Sequence, residues 1–487
     1  MCIIAAIRTF FFIAAFPFFC NVDEQAQLDT VIKYSRGYLP HKENVLYEPE
    51  AVDLIVRYET PEYCNRPDHF KNKTIPPPLC LYTKDSASLH IKIRTGYLEG
   101  AYNHEAFSPP VYYAISGIWY NIGKCLGVRG VNLLYWVRFF NIPVVALLVW
   151  LSYIMARQFY PDDRVLRTGL PVLIAFFPQD VFYSINNDVL SPLLFGIAFY
   201  LLLQLLFSNY YSCKFSFFTG VFIAISFLTK FSNFPIIIIA VLIFFIKMRR
   251  SDNKNVLFAN LSKILPMLML TAVPAILWLS RNRIFLGDAP GTADKMKYLR
   301  WSIKPLNAIF SHPIFSIKGM IIFWYDLMGT FWRGEFVWHL SRLASRSADI
   351  FYSLSSFVFI MAAAIDSILP RNHSSQNERF VTNVSFLAFL FFLFFLVGMS
   401  VLFDFGDCFY PSRIYPYCTS GRLILGMLIP FFILYVKGLT VILTIFKKFL
   451  NPLVIISAIV IFITWSEISI THPVFVSKYN WFHIHGY

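Results

Sequence analysis

Residues 215–247 read FSFFTGVFIAISFLTKFSNFPIIIIAVLIFFIK, which is two long apolar runs with a polar interruption, KFSNFP, between them. A single helix through this stretch would place Lys230 near the centre of a bilayer, at a cost of about 2.5–3.5 kcal/mol on insertion scales. Two shorter helices avoid that cost, because Lys230 then lies at the outer tip of a hairpin whose second arm begins near Pro235. The stretch therefore predicts a membrane-embedded hairpin with spans at 215–229 and 233–247.

The composition of this hairpin continues through the whole chain. Of 487 residues, 57% are hydrophobic, 18% are aromatic and 14% are charged, whereas about 25% of the residues in a soluble domain are charged. No long polar block is left for a separate soluble domain, so the predicted fold class is all-α, a polytopic membrane protein whose function lies in loops and helix ends. The net charge of +14 comes from Lys and Arg spread over short loops rather than one face, which argues against nucleic acid and leaves membrane lipids as expected partners.

Apolar runs of about 20 residues are long enough to cross a hydrocarbon core, and the chain has eleven such predicted spans. Besides the two arms of the hairpin they are 3–20, 132–156, 165–184, 189–207, 264–283, 349–369, 382–403, 422–440 and 452–468. The first run has the form of a signal peptide, but Phe16, Pro17, Phe18 and Phe19 crowd the cleavage position. We therefore expect an uncleaved anchor there.

The distribution of positive charge predicts which loops face the cytoplasm, because short cytoplasmic loops collect Lys and Arg. With eleven spans and a cytoplasmic N-terminus, every strongly basic short loop lies inside, whereas one helix over 215–247 would place KMRRSDNKN outside. The outer segments are then 21–131, 284–348 and 404–421. We accordingly divide the chain into a catalytic membrane core at 1–283, an aromatic outer loop at 284–348 and a C-terminal membrane region with a short tail at 349–487.

The two longer outer segments have aromatic and basic character. In the first, PPVYYAISGIWYNIGKC begins at Pro109 and predicts an interfacial helix that holds Tyr112, Tyr113, Trp119 and Tyr120 at the level of the lipid headgroups. In the second, aromatic and basic side chains alternate, which indicates either an interfacial belt or a groove for an anionic lipid head. They are Trp301, Trp324, Trp332 and Trp338 with Lys297, Arg300, Lys304 and Arg333.

Charged residues also mark the outer ends of several predicted spans. Asp180 and Asp188 lie between the third and fourth spans, Arg281 and Arg283 end the seventh, and Arg422 begins the tenth. Each alone is typical of a solvated helix end. Together, carboxylates and arginines suit the attack of a hydroxyl on a sugar linked to a lipid phosphate, since the hydroxyl needs a base and the phosphate needs fixed positive charge.

Short motifs in order along nearly the whole chain resemble the GT-C superfamily of polytopic glycosyltransferases. That superfamily includes the protein O-mannosyltransferases, the lipid A aminoarabinose transferases and a largely uncharacterised bacterial branch, which this chain resembles most. The motifs are the acidic pair Asp23-Glu24 after the first span, PPVYY at Pro109–Tyr113, Asn187-Asp188, RNRIFLGD from Arg281 to Asp288, and Gly421-Arg422.

The resemblance implies a core of seven N-terminal spans and a polyprenyl- or dolichyl-phosphate sugar as donor, with inversion at the anomeric carbon. The acceptor would be an extracytoplasmic or lumenal glycan, lipid or protein. By the same resemblance Asp23 is the catalytic base, with Glu24 beside it, and Asp188 is a second acid. Arg281 and Arg422 would bind the donor phosphate, and the candidate substrate-binding residues are Asn187, Asn282, His104, Tyr112 and Trp332.

Two positions depart from the pattern of the related branch. Gln27 stands where a His is common, and Ser108 precedes the two prolines where Gln or His is common. Some relatives bind a divalent cation through the acidic pair, so such a cation is possible here, but with Gln27 the sequence commits to no cofactor. Cysteine spacing allows two disulfides, Cys64–Cys80 and Cys408–Cys418, and Asn72 begins a glycosylation sequon.

Two other function classes stay open from sequence. A lipid or solute transporter would carry paired charges or helix breaks in the middle of its spans, and Pro171, Pro178 and Pro274 are the features that favour it. A glycan polymerase or ligase of another multispan type would use the same donors but would place its large loop late in the chain. The early outer loop that opens with Asp23 and Glu24 favours the GT-C interpretation.

Overall fold

The computed structural model is an all-α bundle, which confirms the predicted fold class. It describes residues 1–39, 41, 45–79, 84–208, 212–249, 254–369, 375–408, 410–445 and 451–484. Within these residues the α-helices are α1 Cys2–Ala15, α2 Glu24–Ser35, α3 Pro49–Tyr58, α4 Lys84–Glu99, α5 Pro110–Cys125, α6 Val131–Phe139, α7 Asn141–Phe159, α8 Arg164–Ala175, α9 Ser191–Phe207, α10 Cys213–Thr229, α11 Pro235–Arg249, α12 Lys254–Phe285, α13 Ala293–Tyr298, α14 Leu306–Ile309, α15 Ile317–Arg333, α16 Arg346–Ile368, α17 Gln376–Leu402, α18 Leu428–Ile445, α19 Pro452–Phe475 and α20 Trp481–Ile484.

Strand structure in the described residues is limited to two small antiparallel pairs. In the first, β1 Ser302–Ile303 pairs with β4 Phe403–Asp404; in the second, β2 Val337–Trp338 pairs with β3 Ser341–Arg342. Both pairs connect short loop segments, and the hydrophobic core lies in the helical bundle.

Eight helices of the described chain are long and apolar enough to cross a membrane, rather than the eleven predicted. They are Val131–Phe159, Asn187–Phe207, Phe231–Arg249, Leu261–Phe285, Arg346–Ile368, Gln376–Leu402, Gly421–Thr444 and Pro452–Phe475. The span that contains α18 is central, since 94% of its apolar window is buried inside the protein. It packs against α8, α16 and α17, so the C-terminal region shares one core with the N-terminal spans.

Two predicted spans are shorter in the structure than predicted, and proline explains both. The helix predicted at 3–20 ends at Ala15, and the one predicted at 165–184 ends at Ala175. Pro17 and Pro178 follow these ends, and the residue before a proline is driven out of helical conformation. A third, α10, covers its predicted range with 17 residues, which is the lower end of the length range for a full crossing.

The predicted hairpin over 215–247 is confirmed. Helix α10 ends at Thr229 and α11 begins at Pro235, so the stretch is not one helix. The Lys247 ammonium at the end of α11 donates to the carbonyl of Ser208, which precedes α10, so the two arms run antiparallel. The difference lies at the tip, where Lys230 turns into the protein instead of into water, with 12% of its side chain exposed.

Described residues next to several loops predicted to face the cytoplasm lie together. The Tyr160 hydroxyl after α7 lies 3.2 Å from the Thr382 hydroxyl near the start of α17, and Gln204 near the end of α9 donates to Gln158 of α7. Described residues that follow α1, α8, α10 and α17 meet around Arg422, at what we call the site end. These contacts agree with the two sets of loops that charge predicted; which set faces the cytoplasm stays a prediction.

Helix α5 corrects the expected position of its tyrosines. Tyr112, Tyr113 and Tyr120 are buried in the protein rather than held among headgroups. The exposed face of the helix carries Ile118 and Ile122, 64% and 43% exposed, which are spaced for one side of a helix. The helix is amphipathic as predicted, but its isoleucines form the outward face, while Tyr113 stacks on Tyr34 of α2 and Tyr120 donates to Glu50 of α3.

The segment predicted as the outer loop 284–348 contributes a packed helix. Leu306–Phe315 and Ile317–Arg333 are together apolar enough for a span, but a 71° bend separates them. Trp332 on α15 is fully buried, with its ring stacked on Tyr352 at 5.0 Å and its indole N–H donated to Ser356. Trp332 and Trp338 are therefore core residues, and neither the belt nor the lipid groove describes them.

The first helix is integrated into the bundle. Arg8 of α1 forms an ion pair at 2.5 Å with Glu467 of α19, and the Tyr183 hydroxyl donates to the same carboxylate.

Cys408 and Cys418 are both free, so the disulfide predicted between them is absent from the structure. Cys64 is also free, and its predicted partner Cys80 lies outside the described residues. Asn72 of the sequon is exposed.

Candidate active site

The carboxylate of Asp23 connects two groups of site residues, one around His104 and one around Arg422. The chain turns sharply after α1, and Asp23 has a left-handed backbone, with φ of +64°, directly before α2. Its Oδ1 lies 2.9 Å from His104 Nε2 and its Oδ2 lies 2.6 Å from an Arg422 amino nitrogen. Such a backbone conformation is costly for a residue with a side chain, so these partners also hold the turn in place.

Arg422 is the cation at the centre of the site. It lies on a 3-10 turn, Gly421–Met427, that leads into α18. Besides Asp23, its guanidinium lies 3.6 Å from carboxylate oxygens of both Asp188 and Glu335. Its Nε is buried without a hydrogen-bond partner, and an unpaired buried donor is unfavourable unless a ligand supplies the acceptor.

The Gly-Arg motif has a steric cause. A side chain at Gly421 would come within 2.1 Å of the Phe331 backbone nitrogen. Glycine is therefore required where the turn meets α15, and this close approach carries Arg422 into the site.

Asp188 and Lys230 form the buried side of the site. Asp188 is fully buried on the short turn Asn187–Val189 before α9, where its carboxylate pairs with the Lys230 ammonium. The hairpin tip at Lys230 therefore supplies a second cation beside Arg422. Sequence reasoning assigned Lys230 only to a solvated tip, although an ionisable residue between two apolar runs is the signal that could have identified it.

Glu335 closes the site from the loop after α15. Its carboxylate accepts a hydrogen bond from the Ser420 hydroxyl at 2.5 Å and pairs with Arg342 at 3.0 Å, in addition to its approach to Arg422. Asp180 holds this loop, because its carboxylate accepts from the backbone nitrogens of Glu335 and Phe336 at 2.7 and 2.6 Å. Asp180 thus supports the site without facing Arg422.

His104 connects Asp23 to a second carboxylate, Glu105. The Glu105 carboxylate pairs with the Lys295 ammonium and accepts from the Ser108 hydroxyl at 2.5 Å. Burial acts to raise the pKa of Glu105, but the charge and hydrogen bond of Lys295 together with the neighbouring His104 outweigh it, and the pKa is lowered. Ser108, one of the two departures from the related branch, therefore has a partner in the site.

The protonation of Asp23 follows from its partners. Burial favours the neutral acid and acts to raise the pKa of Asp23, but the Arg422 charge and the His104 hydrogen bond outweigh it. The pKa of Asp23 is consequently held well below its ordinary value, and the side chain is a carboxylate at neutral pH. With 18% of the side chain exposed, it remains open to a ligand.

Glu24 does not join this site. Its carboxylate forms a bidentate pair with Arg138 at 2.8 Å and also accepts from the Phe19 and Ile185 backbone nitrogens at 2.9 Å each. All of these contacts are buried, with 0% of the Glu24 side chain exposed. The two members of the acidic pair thus point in different directions, and the structure gives Glu24 a role in holding α2 against α6 and against the segment between α8 and α9.

A metal ion would have to bind through a different set of residues from the acidic pair. Within the described chain, Asp23, His104 and Glu105 each offer a ligand atom, all within 4.8 Å of one another. An imidazole with two carboxylates suits zinc or manganese. Arg422 and Lys295 already balance both carboxylates, so the arrangement is electrostatically complete without an ion.

The remaining predicted site residues lie at varying distances from Asp23. Asn187 donates to the Tyr113 hydroxyl, which in turn donates to Gln27. Asn187 and Gln27, the other position that departs from the related branch, therefore share a hydrogen-bond network beside the site. Arg281 lies over the rings of Trp278 and Phe285 and donates to the Asn282 side chain. Asn282, Tyr112 and Trp332 are buried in the protein.

A cavity of about 700 Å³ opens beside Asp23. Its wall includes Asp23 and His104, and further on Gln25, Tyr63 and Asn65. Arg422 and Lys230 lie outside this wall. Asp23 is therefore accessible from the cavity on one side and faces the Arg422 guanidinium on the other, an arrangement suited to a base between two substrates.

Comparison with protein families places the chain among membrane proteins. Residues 7–406 match a family described as "Predicted membrane protein (DUF2142)". The chain belongs to the DUF2142 family. The part that matches DUF2142 contains Asp23, His104, Asp188 and Lys230, while Arg422 lies beyond it. No curated protein and no solved structure matches the chain. The protein is thus an integral, multi-pass membrane protein.

Proposed function

We propose that this DUF2142 protein is a membrane glycosyltransferase. It transfers a sugar from a polyprenyl- or dolichyl-phosphate carrier to a hydroxyl-bearing acceptor on the extracytoplasmic side, and it inverts the anomeric carbon. The observation that carries the proposal is the position of Asp23, a carboxylate that faces a cavity on one side and the Arg422 guanidinium on the other.

Asp23 has the properties of a general base. It is ionised, and its Oδ1 faces His104 at the cavity, where an acceptor hydroxyl can reach it. As the acceptor oxygen bonds to the anomeric carbon, its proton passes to Asp23 and the bond between that carbon and the phosphate oxygen breaks. The bonding electrons leave with the phosphate. A positioned base contributes about 10²–10⁴-fold to such a step.

Arg422 and Lys230 suit the departing phosphate. Both are held by buried carboxylates, so their positions are fixed before the substrate arrives. The Nε of Arg422 makes no hydrogen bond and lies 3.6 Å from a Glu335 carboxylate oxygen, so its hydrogen-bonding capacity is not filled. Charge-assisted hydrogen bonds from guanidinium to phosphate are among the strongest that a protein makes.

The charged groups favour this function over transport. Asp23, Asp188, Lys230 and Arg422 lie in loops and helix ends at one end of the bundle, whereas a transporter is expected to bind its substrate near the bilayer midplane. An isoprenoid carrier can stay in the lipid while its phosphate reaches the site end.

The test is a transfer assay with the purified full-length protein in nanodiscs. Radiolabelled polyprenyl-phosphate hexoses and pentoses are the donors, and wild type is compared with Asp23→Asn and Asp53→Asn. Asp53 is a matched control, because it is an exposed carboxylate paired with Arg57 on α3, outside the site. Release of polyprenyl phosphate by wild type and Asp53→Asn but not by Asp23→Asn supports the proposal. Absence of release from every donor of the panel, with wild type folded, overturns it.

A further inference from the structure

The cavity beside Asp23 has a chemical character of its own. At about 700 Å³ it falls within the roughly 300–1,000 Å³ of typical small-molecule sites. We propose that it binds a neutral saccharide, which is the acceptor of the reaction. The acceptor role rests on the proposed function, whereas the preference for a neutral saccharide rests on the cavity wall.

The wall carries no uncompensated charge. Glu59 is held by Arg94 in a two-pronged pair at 2.7 and 3.0 Å, and Asp23 is held by Arg422. The third acid of the wall, Glu24, is closed by Arg138. Within the described part of the wall, every carboxylate therefore has a cation, and Arg94 has its anion. A charged ligand would have to break one of these pairs, while a neutral one would not.

The uncharged part of the wall combines rings with amides. The rings belong to Tyr47, Tyr63, Phe70 and Tyr479, and the amides to Gln25 and Asn65. A sugar presents apolar C–H faces that pack on aromatic rings and hydroxyls that both donate and accept. Asparagine and glutamine side chains match those hydroxyls, because each amide offers two donors and one acceptor oxygen.

Other ligand classes fit this wall less well. A lipid tail gains nothing from the amides and carboxylates along it. A peptide that binds by strand addition needs a free strand edge, and no described residue of the wall belongs to a strand. A phosphate would meet its cations at Arg422 and Lys230, which lie outside the wall. The acceptor and the donor phosphate thus reach Asp23 from two sides.

Two natural cysteines allow a binding test that needs no turnover. Cys64 is free, exposed and part of the wall, while Cys125 is free and exposed at the end of α5, outside it. A ligand in the cavity should shield Cys64 from a thiol reagent and leave Cys125 unprotected. Modification of both thiols by N-ethylmaleimide is followed in the wild-type protein by peptide mass spectrometry.

The probes are maltose, cellobiose, chitobiose, the peptide Gly-Ser-Gly and glycerol phosphate. We expect at least one neutral disaccharide to slow modification of Cys64 roughly tenfold at ten times its Kd, since the reagent needs the empty cavity. Modification of Cys125 should not change. Protection by the peptide or glycerol phosphate instead, or no protection by any disaccharide up to its solubility limit, overturns the proposal.

A second arm separates this inference from the proposed function. Cys64→Trp fills the cavity, and Asp68→Trp adds the same ring at an exposed position nearby. We expect Cys64→Trp to lose transfer to a saccharide to a much larger extent than hydrolysis of the sugar donor in water, and Asp68→Trp to keep both. Unchanged transfer in Cys64→Trp refutes the acceptor cavity. A wild type that neither transfers nor hydrolyses refutes the proposed function, while disaccharide protection of Cys64 still decides the binding claim.

Discussion

Asp23 and Glu24 are adjacent in sequence and occupy opposite environments. Glu24 accepts four hydrogen bonds, two from Arg138 and two from backbone nitrogens, and is sealed from solvent. Asp23 has one partner on each oxygen, keeps part of its surface exposed and borders a cavity. The left-handed backbone at Asp23 produces the divergence, because it turns the chain between the two side chains.

The contrast separates two uses of a buried carboxylate. A carboxylate whose acceptor capacity is filled contributes to the fold and has nothing left for a substrate. A carboxylate with open capacity beside fixed cations is arranged for chemistry, at some cost in stability. Substitution of each member of the pair should therefore damage a different property.

The largest effect on turnover is expected at Asp23. Asp23→Asn keeps the shape but removes the base, so transfer should fall about 10²–10⁴-fold. The melting temperature in detergent should stay close to that of the wild type, because asparagine has the same shape and tolerates the left-handed backbone, and Arg422 keeps Asp188 and Glu335 as partners. Steady-state transfer and a thermal melt measure the two properties. Near-normal transfer in Asp23→Asn would remove the base assignment.

The largest effect on stability is expected at Glu24. Glu24→Gln leaves the Arg138 charge buried without its partner, and breaking such a pair costs about 3–5 kcal/mol. The control is Glu48→Gln, which breaks a partly exposed pair with Arg36 and should cost about 0–1 kcal/mol. Denaturation in detergent compares the two variants. Equal stability of both variants would show that the Glu24 pair does not hold the fold.

Sequence reasoning could predict the parts that depend on local chemistry. Apolar runs gave the membrane fold, and the break at Lys230 gave the hairpin. Helix ends at Ala15 and Ala175 were missed because hydropathy ignores how a following proline stops a helix. The division into three regions and the orientation in the membrane stay predictions.

The site was predicted only in part for a different reason. Asp23, Asp188 and Arg422 do converge, as expected from the motif order. Glu335 was missed because its role exists only in the tertiary structure, where backbone contacts with Asp180 position it. Lys230 was assigned to a solvated tip, although an ionisable residue between two apolar runs was a signal for the site. Glu24 and Trp332 were assigned to the site from motif and residue type. Neither of these reveals which way a side chain points, and both side chains are buried away from Asp23.

The ionised state of Asp23 depends on Arg422, and the pH dependence of transfer tests this. In wild type the depressed pKa of Asp23 keeps the base ionised, so transfer should show no acid limb from Asp23 between about pH 5 and 8. In Arg422→Gln the opposing charge is gone, burial dominates, and the pKa of Asp23 rises. We expect kcat/KM to fall as pH is lowered, together with about a 10²–10³-fold loss at neutral pH.

The control for this experiment is Arg413→Gln, which breaks an exposed pair with Asp404 away from Asp23. It should keep both the rate and the flat profile. If Arg422→Gln shows the same pH profile as wild type, Arg422 does not set the protonation of Asp23, and a loss of rate would then reflect phosphate binding alone.

The smallest predicted effect concerns the loop that places Glu335 beside Arg422. Gly334 has φ of +88° and ψ of −162°, and a Cβ there would come within 2.1 Å of the Asp180 carboxyl. Only glycine adopts this conformation readily, and a side chain should cost about 1–3 kcal/mol in strain. Gly334→Ala should therefore lower the melting temperature. Because Glu335 shifts, transfer should also weaken, but by less than in Arg422→Gln.

The matched control is Gly398→Ala in α17, where a Cβ meets nothing within 4 Å. There alanine should be neutral or raise stability by up to about 1 kcal/mol. If the two alanine variants behave alike in melting and transfer, the Asp180 contact does not position Glu335. Asp188, which precedes α9, would then hold Arg422 without help from Glu335.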